Sequence, residues 1–291
     1  MRRAVLVACL AAVASAAVAC TAIVGFPAVP AAPDAGGEGT RTSASASGES
    51  SGSSRASTTT RATTSTTLGS SAGSCKGSSP ILFDSATQAT GLSVSSLSWS
   101  HTVGHADDRA LFVIVSARDP SLPTVTGVTY GPTALTHVRS LAPGGGNLDL
   151  EIWMLAAPPS GTAAVAFTLS GQATGVSGAA LSYTGVAQEG TVDESADDTE
   201  MSGAPSLRWS AGASATRALA VATTQAGGIQ ATLGANQTSR YDVSDMGPWE
   251  TQSGVDQSSI TASTRNLAFN WTTTNPDPWI TMGFSFVPAC P

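Results

Sequence analysis

The chain contains an internal repeat, and this repeat limits the fold more than any other feature of the sequence. Residues 96–100 (SLSWS) return as 206–210 (SLRWS), and residues 109–111 return unchanged as 217–219 (RAL). Residues 165–168 (VAFT) and 176–183 are echoed by 267–270 (LAFN) and 279–286. The offsets lie between 102 and 110 residues and the order of the elements is kept. We therefore expect two related halves, residues 92–187 and 205–288.

Short alternating or β-branched runs predict an all-β fold for both halves. Gly, Pro, Asn and Asp separate these runs, and no window keeps the 3.6-residue apolar period of a helix. Alternation is clearest in residues 279–286, where Ile280, Met282, Phe284 and Phe286 share one face. The predicted strands are residues 93–103, 111–117, 125–130, 148–155, 163–169, 181–183, 219–223, 267–271 and 280–287.

The first 19 residues have the organisation of an export signal. Arg2 and Arg3 precede an apolar run, residues 4–16, which is too short for a membrane span, and small residues then lead to Cys20. The sequence around Cys20 resembles the bacterial lipobox, although Ala17 stands where that motif prefers Leu. The resemblance implies a lipid anchor on Cys20. With Thr21 next, it also implies sorting to the outer membrane or cell surface. Cleavage to a soluble secreted protein is the alternative.

The segment that follows predicts a tether. Residues 21–74 consist mainly of Ala, Ser, Thr, Gly and Pro and bury too little apolar surface to offset the entropy of ordering. As a flexible coil, these 54 residues would span roughly 40 Å. We expect residues 20–74 to hold the folded part, residues 75–291, away from a membrane.

The remaining cysteines bear on the architecture. If Cys9 leaves with the signal and Cys20 carries lipid, Cys75 and Cys290 are left to form a disulfide in an oxidising compartment. A disulfide requires Cα atoms within roughly 7 Å, which favours one jelly-roll-like β-sandwich over two end-to-end domains. Two tandem immunoglobulin-like sandwiches of ~100 residues each are the alternative.

Charge excludes two classes of partner. Without Arg2 and Arg3 the chain has 11 basic and 20 acidic side chains, and Lys76 is the only lysine. No basic stripe is present for nucleic acid or for anionic lipid headgroups. The expected membrane contact is the lipid anchor alone.

Four phrases carry a family resemblance. They are residues 97–104 (LSWSHTVG), 128–136 (VTYGPTALT), 151–162 (EIWMLAAPPSGT) and 183–186 (YTGV). Through them residues 92–290 resemble an uncharacterised β-sandwich domain that recurs in secreted and surface proteins of environmental bacteria. The resemblance implies a sandwich fold, and it implies no ligand and no catalytic residues.

Motifs of known chemistry are absent from the sequence. It has no Gly-x-Ser-x-Gly, His-Glu-x-x-His, phosphate loop or Cys-x-x-Cys. His101 and His105, with Asp107 and Asp108 at a hairpin tip, have the spacing of a metal site, but the second half lacks all these ligands. We expect a solvated turn there, no metal and no cofactor.

Acidic residues raise the alternative of a polysaccharide hydrolase. Asp149 and Glu151 share a strand face, and paired carboxyl groups can perform acid–base chemistry. We interpret Glu151 as a structural residue with Arg139 as its partner. Asp193, Glu194, Asp197, Asp198 and Glu200 are interpreted as a solvated loop between the halves, with a Ca²⁺ site as the alternative.

Trp249 is the candidate ligand-binding residue. It lies in the loop-like stretch 245–250 (DMGPWE), which has no counterpart in the first half. A Trp exposed among polar groups suits recognition of a glycan or a protein surface, and packing back onto the sheet is the alternative. The sequence thus predicts a non-enzymatic, lipid-anchored binding or adhesive module. An envelope protein without a specific ligand is the rival prediction.

Overall fold

The computed structural model describes residues 80–143, 147–225, 227–243 and 250–290. All regular secondary structure in these ranges is β-strand, so the predicted all-β fold is confirmed. The same ranges contain no helix long and apolar enough to cross a membrane. The signal, the tether, Cys20, Cys75 and Trp249 lie outside the described residues, and the predictions made for them stay predictions.

The described residues form fifteen strands in two halves. The predicted strands 111–117, 125–130, 148–155 and 280–287 agree with the observed ones to within one residue at each end, and 219–223 and 267–271 agree to within two. The predictions 93–103, 163–169 and 181–183 lie inside two longer strands, Leu82–Val103 and Gly161–Thr184. The first half contains β1 Leu82–Val103, β2 Ala110–Arg118, β3 Val125–Tyr130, β4 Thr133–Ala134, β5 Thr136–Leu141, β6 Leu148–Ala156 and β7 Gly161–Thr184. The second half contains β8 Val192–Glu200, β9 Ser206–Ser210, β10 Arg217–Thr224, β11 Ile229–Thr232, β12 Gln237–Val243, β13 Thr251–Gln257, β14 Asn266–Thr273 and β15 Trp279–Phe286.

In the first half one long ribbon serves two layers. β1 pairs with β7 over nearly its whole length, with an irregularity between Val94 and Ser96. The first part of β7 also pairs with β3, whereas its last part pairs with β2, which continues to β6 and β5. The ribbon folds over on itself, because Trp99 pairs with Val165 but packs against Gly178 of the same partner strand. An apolar core including Leu111, Val113, Val128 and Phe167 fills the space between the two layers.

The second half has the same plan with its long strands broken. β8 and β9 replace β1, and β14 and β15 replace β7, which gives one sheet in the order β12-β13-β10-β15-β8 and another in the order β11-β14-β9. Trp209 packs against Gly283, as Trp99 packs against Gly178. The core between these sheets includes Ala218, Ala220, Leu267, Phe269 and Trp271.

A third core joins the halves. Alternate residues of β2 and β7, such as Phe112 and Tyr183, pack against alternate residues of β10 and β15, such as Leu219 and Phe286. The body is therefore four layers deep. Each half has its own core, as the tandem prediction requires, and the halves share another core, as a single body requires. The jelly-roll connectivity stays a prediction.

The structure corrects one part of the repeat. Residues 109–111 and 217–219 match in sequence, but Leu111 faces the core of the first half, whereas Leu219 faces the shared core. A shift of one residue along a strand moves a side chain to the opposite face. Equivalent residues of β2 and β10 are therefore separated by an odd number of positions in the sequence. The identical Arg-Ala-Leu triplets do not occupy equivalent positions.

An aspartate at a bulge is repeated instead. In β1, Asp84 is the extra residue between Phe83 and Ser85, and its carboxylate accepts a hydrogen bond from the Gly104 backbone N–H at 2.8 Å. In β8, Asp193 lies at the corresponding irregularity, and a Cβ at Gly212 would overlap its carboxylate. The acidic run 193–200 is thus an edge strand, and its prediction as a loop between the halves was wrong.

Candidate functional site

Features that occur in one half but not in the other identify residues that the shared plan does not require. The two halves have the same layers, the same tryptophan-on-glycine contact and the same aspartate bulge. Two clusters of polar side chains in the first half have no counterpart among the described residues of the second half. One surrounds His101 and the other surrounds Glu151.

The His101 cluster is a directional chain of hydrogen bonds. Trp99 Nε1 donates to Thr87 Oγ1 at 3.1 Å, and Thr87 Oγ1 lies 2.9 Å from His101 Nδ1. On the other side of the ring, His101 Nε2 lies 3.2 Å from Ser182 Oγ, and Ser182 donates to Asp84 at 2.7 Å. Because Ser182 gives its proton to Asp84, it accepts from Nε2, and Nδ1 is the acceptor for Thr87.

This arrangement fixes a neutral imidazole. Burial lowers the pKa of His101 to about 4, and the Asp84 carboxylate opposes this shift. For nucleophilic catalysis a histidine would have to accept the serine proton, whereas here Ser182 donates to Asp84. This chain of hydrogen bonds therefore holds β1 and β7 together. It does not activate Ser182 as a nucleophile.

His101 falls in a local extension of the first half. Trp99 and Gly104 are separated by five positions, whereas Trp209 and Gly212 are separated by three. The second half contains no histidine, and Trp209 Nε1 is buried without a hydrogen-bond partner. The polar chain thus belongs to the extra residues.

The spacing of His101 and His105, which was weighed as a metal site and set aside, does not bring the two histidines together. His101 is buried in β1, while His105 is exposed in the turn beyond it. β1 and β2 pair with β7 rather than with each other, so this turn is not a hairpin tip. Within the described part of the chain, no group of three or more His, Cys, Asp or Glu side chains is placed to hold a metal ion.

The Glu151 cluster lies where β5 pairs with β6, at the edge of the sheet. His137 and Trp153 are cross-strand partners whose rings meet edge to face, with 5.0 Å between centroids. The His137 side chain is 42% exposed, and its Nε2 lies 3.6 Å from Glu151 Oε2. Trp153 is partly buried. The pair presents an indole and an imidazole at an accessible edge.

Glu151 holds this pair in place. Its Oε1 accepts from the Val125 backbone N–H at 2.9 Å, and its Oε2 accepts from Trp153 Nε1 at 3.0 Å. The predicted partner was wrong: Arg139 instead contacts Asp197 and Ser195 of β8, across the boundary between the halves. The interpretation of Glu151 as structural agrees with these contacts.

Asp149 lies beside Glu151 on the same face of β6 and is buried. Burial, and after it the Glu151 carboxylate, raises the pKa of Asp149 to about 8. At neutral pH Asp149 is therefore protonated and can donate its proton to Glu151 in a hydrogen bond. The two groups form one carboxyl–carboxylate pair that carries a single negative charge.

The second half differs at the matching edge. β5 has an irregularity after His137, and β12 has one after Ser239, which pairs with Val255 of β13. Ser239 and Val255 thus correspond to His137 and Trp153. The β13 side chains that face the core of the second half include no acid and no aromatic ring: they are Thr251, Ser253, Val255 and Gln257.

The sequence indicated only part of this site. Asp149 and Glu151 were named because they interrupt an apolar strand, whereas His137 and Trp153 were not recognised as a pair. β5 (THVRSL) has no clear alternation and was not predicted as a strand. Without β5 nothing places His137 opposite Trp153.

Of the other predicted site residues, Trp249 lies outside the described residues and Cys290 lies within them. Cys290 is exposed and follows the buried Ala289. Comparison of the chain with models of known protein families, with curated proteins and with solved structures finds no match in any of the three.

Proposed function

We propose that the protein is a binding or adhesive module displayed at the cell surface and that it recognises glycan through the edge formed by His137 and Trp153. The observation that carries this proposal is the aromatic pair itself, held by Glu151 at an accessible sheet edge in one half only. Indole rings stack on the apolar faces of sugars, and an imidazole beside them supplies a donor or acceptor for hydroxyl groups.

Display at the surface is part of the same proposal. A lipid on Cys20 and the tether 20–74 would hold the sandwich at the outer membrane or cell surface, and no cofactor or nucleic acid takes part. Mass spectrometry of the protein from cells should detect an acylated Cys20 at the mature N-terminus. A soluble protein with a different N-terminus would remove the anchor.

A hydrolase receives less support from the same residues. Both oxygens of Glu151 already accept hydrogen bonds from the protein, and Asp149 is 4% exposed, so neither carboxyl group is free to approach a glycosidic bond. Turnover of a polysaccharide by the purified protein would reverse this assignment. The alternative ligand for the same edge is a protein, and the binding experiment distinguishes a protein ligand from a glycan.

The binding experiment uses substitutions that the second half suggests. His137→Ser and Trp153→Val install the residues found at the matching edge of β12 and β13, and Ser239→Ala on that edge is the control. On a glycan array we expect the signal of His137→Ser and of Trp153→Val to fall at least tenfold. The Ser239→Ala control should keep the wild-type signal. Trp249→Ala tests the second predicted contact separately.

Each variant is first checked by its thermal unfolding temperature, because Trp153 is partly buried. Equal binding by the wild type and by folded His137→Ser and Trp153→Val would refute the edge as the ligand site. Absence of any signal on glycans, together with capture of a surface protein that both substitutions abolish, would assign the edge to a protein ligand. A negative result in both assays would favour an envelope protein without a specific ligand.

A further inference from the structure

A second polar region lies deep between the halves. Val255 of β13 faces the core of its own half, so the alternate positions 250, 252, 254 and 256 face the first half. Glu250, Gln252 and Asp256 are each fully buried there, and Tyr241 of the neighbouring strand β12 packs across Gly254. We call Glu250, Gln252, Asp256 and Tyr241 the polar seam.

One end of the polar seam is paired through Asp256 Oδ2, while Asp256 Oδ1 is buried without a hydrogen-bond partner. Asp256 Oδ2 accepts from Tyr183 of the first half at 3.3 Å and from Arg217 Nε at 3.0 Å. Arg240 forms an ion pair with the same oxygen at 2.9 Å. Two cations thus offset the buried charge, as a buried carboxylate requires.

The other end is likewise paired through one carboxylate oxygen. Ser177 of the first half donates to Glu250 Oε1 at 2.6 Å, and Ser116 also donates to this carboxyl group. Burial raises the pKa of Glu250 to about 7, against the effect of these hydroxyl groups and of Arg118. Glu250 Oε2 is buried and has no hydrogen-bond partner.

Among the described residues, the middle of the seam has no hydrogen-bond partner. Both amide atoms of Gln252 and the hydroxyl group of Tyr241 are buried and unpaired. Tyr241 pairs with Gly254 and Val243 pairs with Gln252, so Tyr241 and Gln252 are diagonal neighbours on one face. On the first half, the residues between Ser177 and Tyr183 that face the seam are Ala179 and Leu181, whose side chains offer no polar atom.

These unpaired atoms form a complementary set. Gln252 Nε2 is a donor, Gln252 Oε1 and Glu250 Oε2 are acceptors, and the Tyr241 hydroxyl is both. Buried polar groups in folded proteins nearly always have a partner, and each one left without a partner destabilises the fold. A buried water molecule makes about three hydrogen bonds of this kind.

From this geometry we infer that the polar seam is a binding site for ordered water between the two halves, with Gln252, Tyr241 and Glu250 as its ligands. The water molecules replace the partners that Ala179 and Leu181 do not supply. The halves are then joined by an apolar core at one end of the interface and by a hydrated polar contact along β13.

A crystal structure at about 1.5 Å resolution tests the site directly. We expect at least one water molecule within hydrogen-bond distance of the Gln252 amide and of either Tyr241 or Glu250. A dry contact around Gln252 would overturn the inference. So would density with several oxygen ligands at 2.3–2.6 Å, roughly the distances of Ca²⁺ coordination.

Two substitutions test it in solution. Tyr241→Phe removes only the hydroxyl group, and Gln252→Met replaces the amide with an apolar group of similar length. If water bridges these groups, each variant unfolds at a lower temperature than the wild type. If the groups are unpaired, each variant unfolds at the same or a higher temperature, because an unsatisfied polar atom has been removed.

Gln230→Met, at an exposed position of β11, is the control for the amide change and should leave the unfolding temperature unaltered. If Gln252→Met does not fold, Tyr241→Phe and the crystal structure decide the question. An unaltered or raised unfolding temperature for Tyr241→Phe contradicts the hydrated seam whatever the glutamine variant does.

Discussion

The indole of Trp99 lies directly on the backbone of Gly178, so that a Cβ at residue 178 would be 2.6 Å from Trp99 Cη2. The second half repeats this contact: a Cβ at Gly283 would be 2.7 Å from Trp209 Cη2. In each half the tryptophan comes from the outer layer and the glycine from the layer next to the shared core. Glycine at both positions lets the two layers of a half approach each other closely.

Gly178→Ala and Gly283→Ala should therefore destabilise the protein by about 1–3 kcal/mol each, since the added methyl group overlaps a ring that other core residues hold in place. Gly127→Ala in β3 is the control, because its Cβ would meet no atom within 4 Å. Urea unfolding followed by tryptophan fluorescence measures the three free energies. Equal effects at Gly178 and Gly127 would contradict the packing account.

The hydrogen-bond chain around His101 gives a second prediction. Thr87→Val keeps the shape of the side chain but leaves Trp99 Nε1 and His101 Nδ1 without a partner. We expect a loss of about 1–3 kcal/mol in the free energy of unfolding. Thr90→Val, at an exposed position of the same strand, should change stability by less than about 0.5 kcal/mol. Equal effects of the two substitutions would show that the chain does not stabilise the fold.

The sequence predicted the apolar strands well because alternation reports a buried face directly. Residues 279–286 alternate clearly and form β15. β13 (TQSGVDQ) was not predicted, although every one of its residues is buried. It is buried between the first half and the other sheet of its own half, and its Asp256 binds Tyr183 and Arg217, which lie 73 and 39 residues away in the sequence. No local pattern records such partners.

The repeat shows the same limit. Trp99 and Trp209 were identified as equivalent, and their contacts with Gly178 and Gly283 agree. The two Arg-Ala-Leu triplets were matched because their sequences are identical. Equivalent residues must also lie on the same side of their strands, and the two leucines do not. Arg217 is buried beside Asp256, whereas Arg109 donates to carbonyl groups of Ala106 and Pro158 near the surface. The two arginines therefore differ in burial, although the triplets that contain them are identical in sequence.

The raised pKa of Asp149 predicts a pH-dependent stability. In the folded protein Asp149 keeps its proton up to about pH 8, whereas in the unfolded chain an aspartate loses it near pH 3.9. The folded state therefore holds the extra proton between these values. The stability that this group contributes is complete below about pH 4 and is lost as the pH rises toward 8.

Asp149→Asn removes this titration while its amide can still donate a hydrogen bond to Glu151. Compared with the wild type, the variant should gain stability from pH 5 to pH 8, by at most about 1.4 kcal/mol per pH unit. Urea unfolding at a series of pH values measures the difference.

Asp119→Asn is the control: hydrogen bonds from Thr174 and Ser121 lower the Asp119 pKa to about 2, so its contribution is lost only in acid. A wild-type and Asp149→Asn difference that stays constant from pH 5 to pH 8 would refute the buried protonated carboxyl group.

The disulfide between Cys75 and Cys290 is the last prediction. Both ends of the described domain meet at Gly185: its Cβ, if present, would lie 2.6 Å from the Pro80 carbonyl oxygen, and its own carbonyl accepts from Ala289 N–H at 2.9 Å. Cys290 follows Ala289 directly, and the five residues from Cys75 to Pro80 span at most about 18 Å, so the chain allows the two sulfur atoms to meet.

Peptide mass spectrometry without reductant should detect the linked pair. Cys75→Ser and Cys290→Ser should each lower stability by up to about 5 kcal/mol, and by equal amounts, because either change opens the same large loop. Free thiols at both positions in the protein isolated from cells without reductant, or unequal losses in the two variants, would contradict the bond.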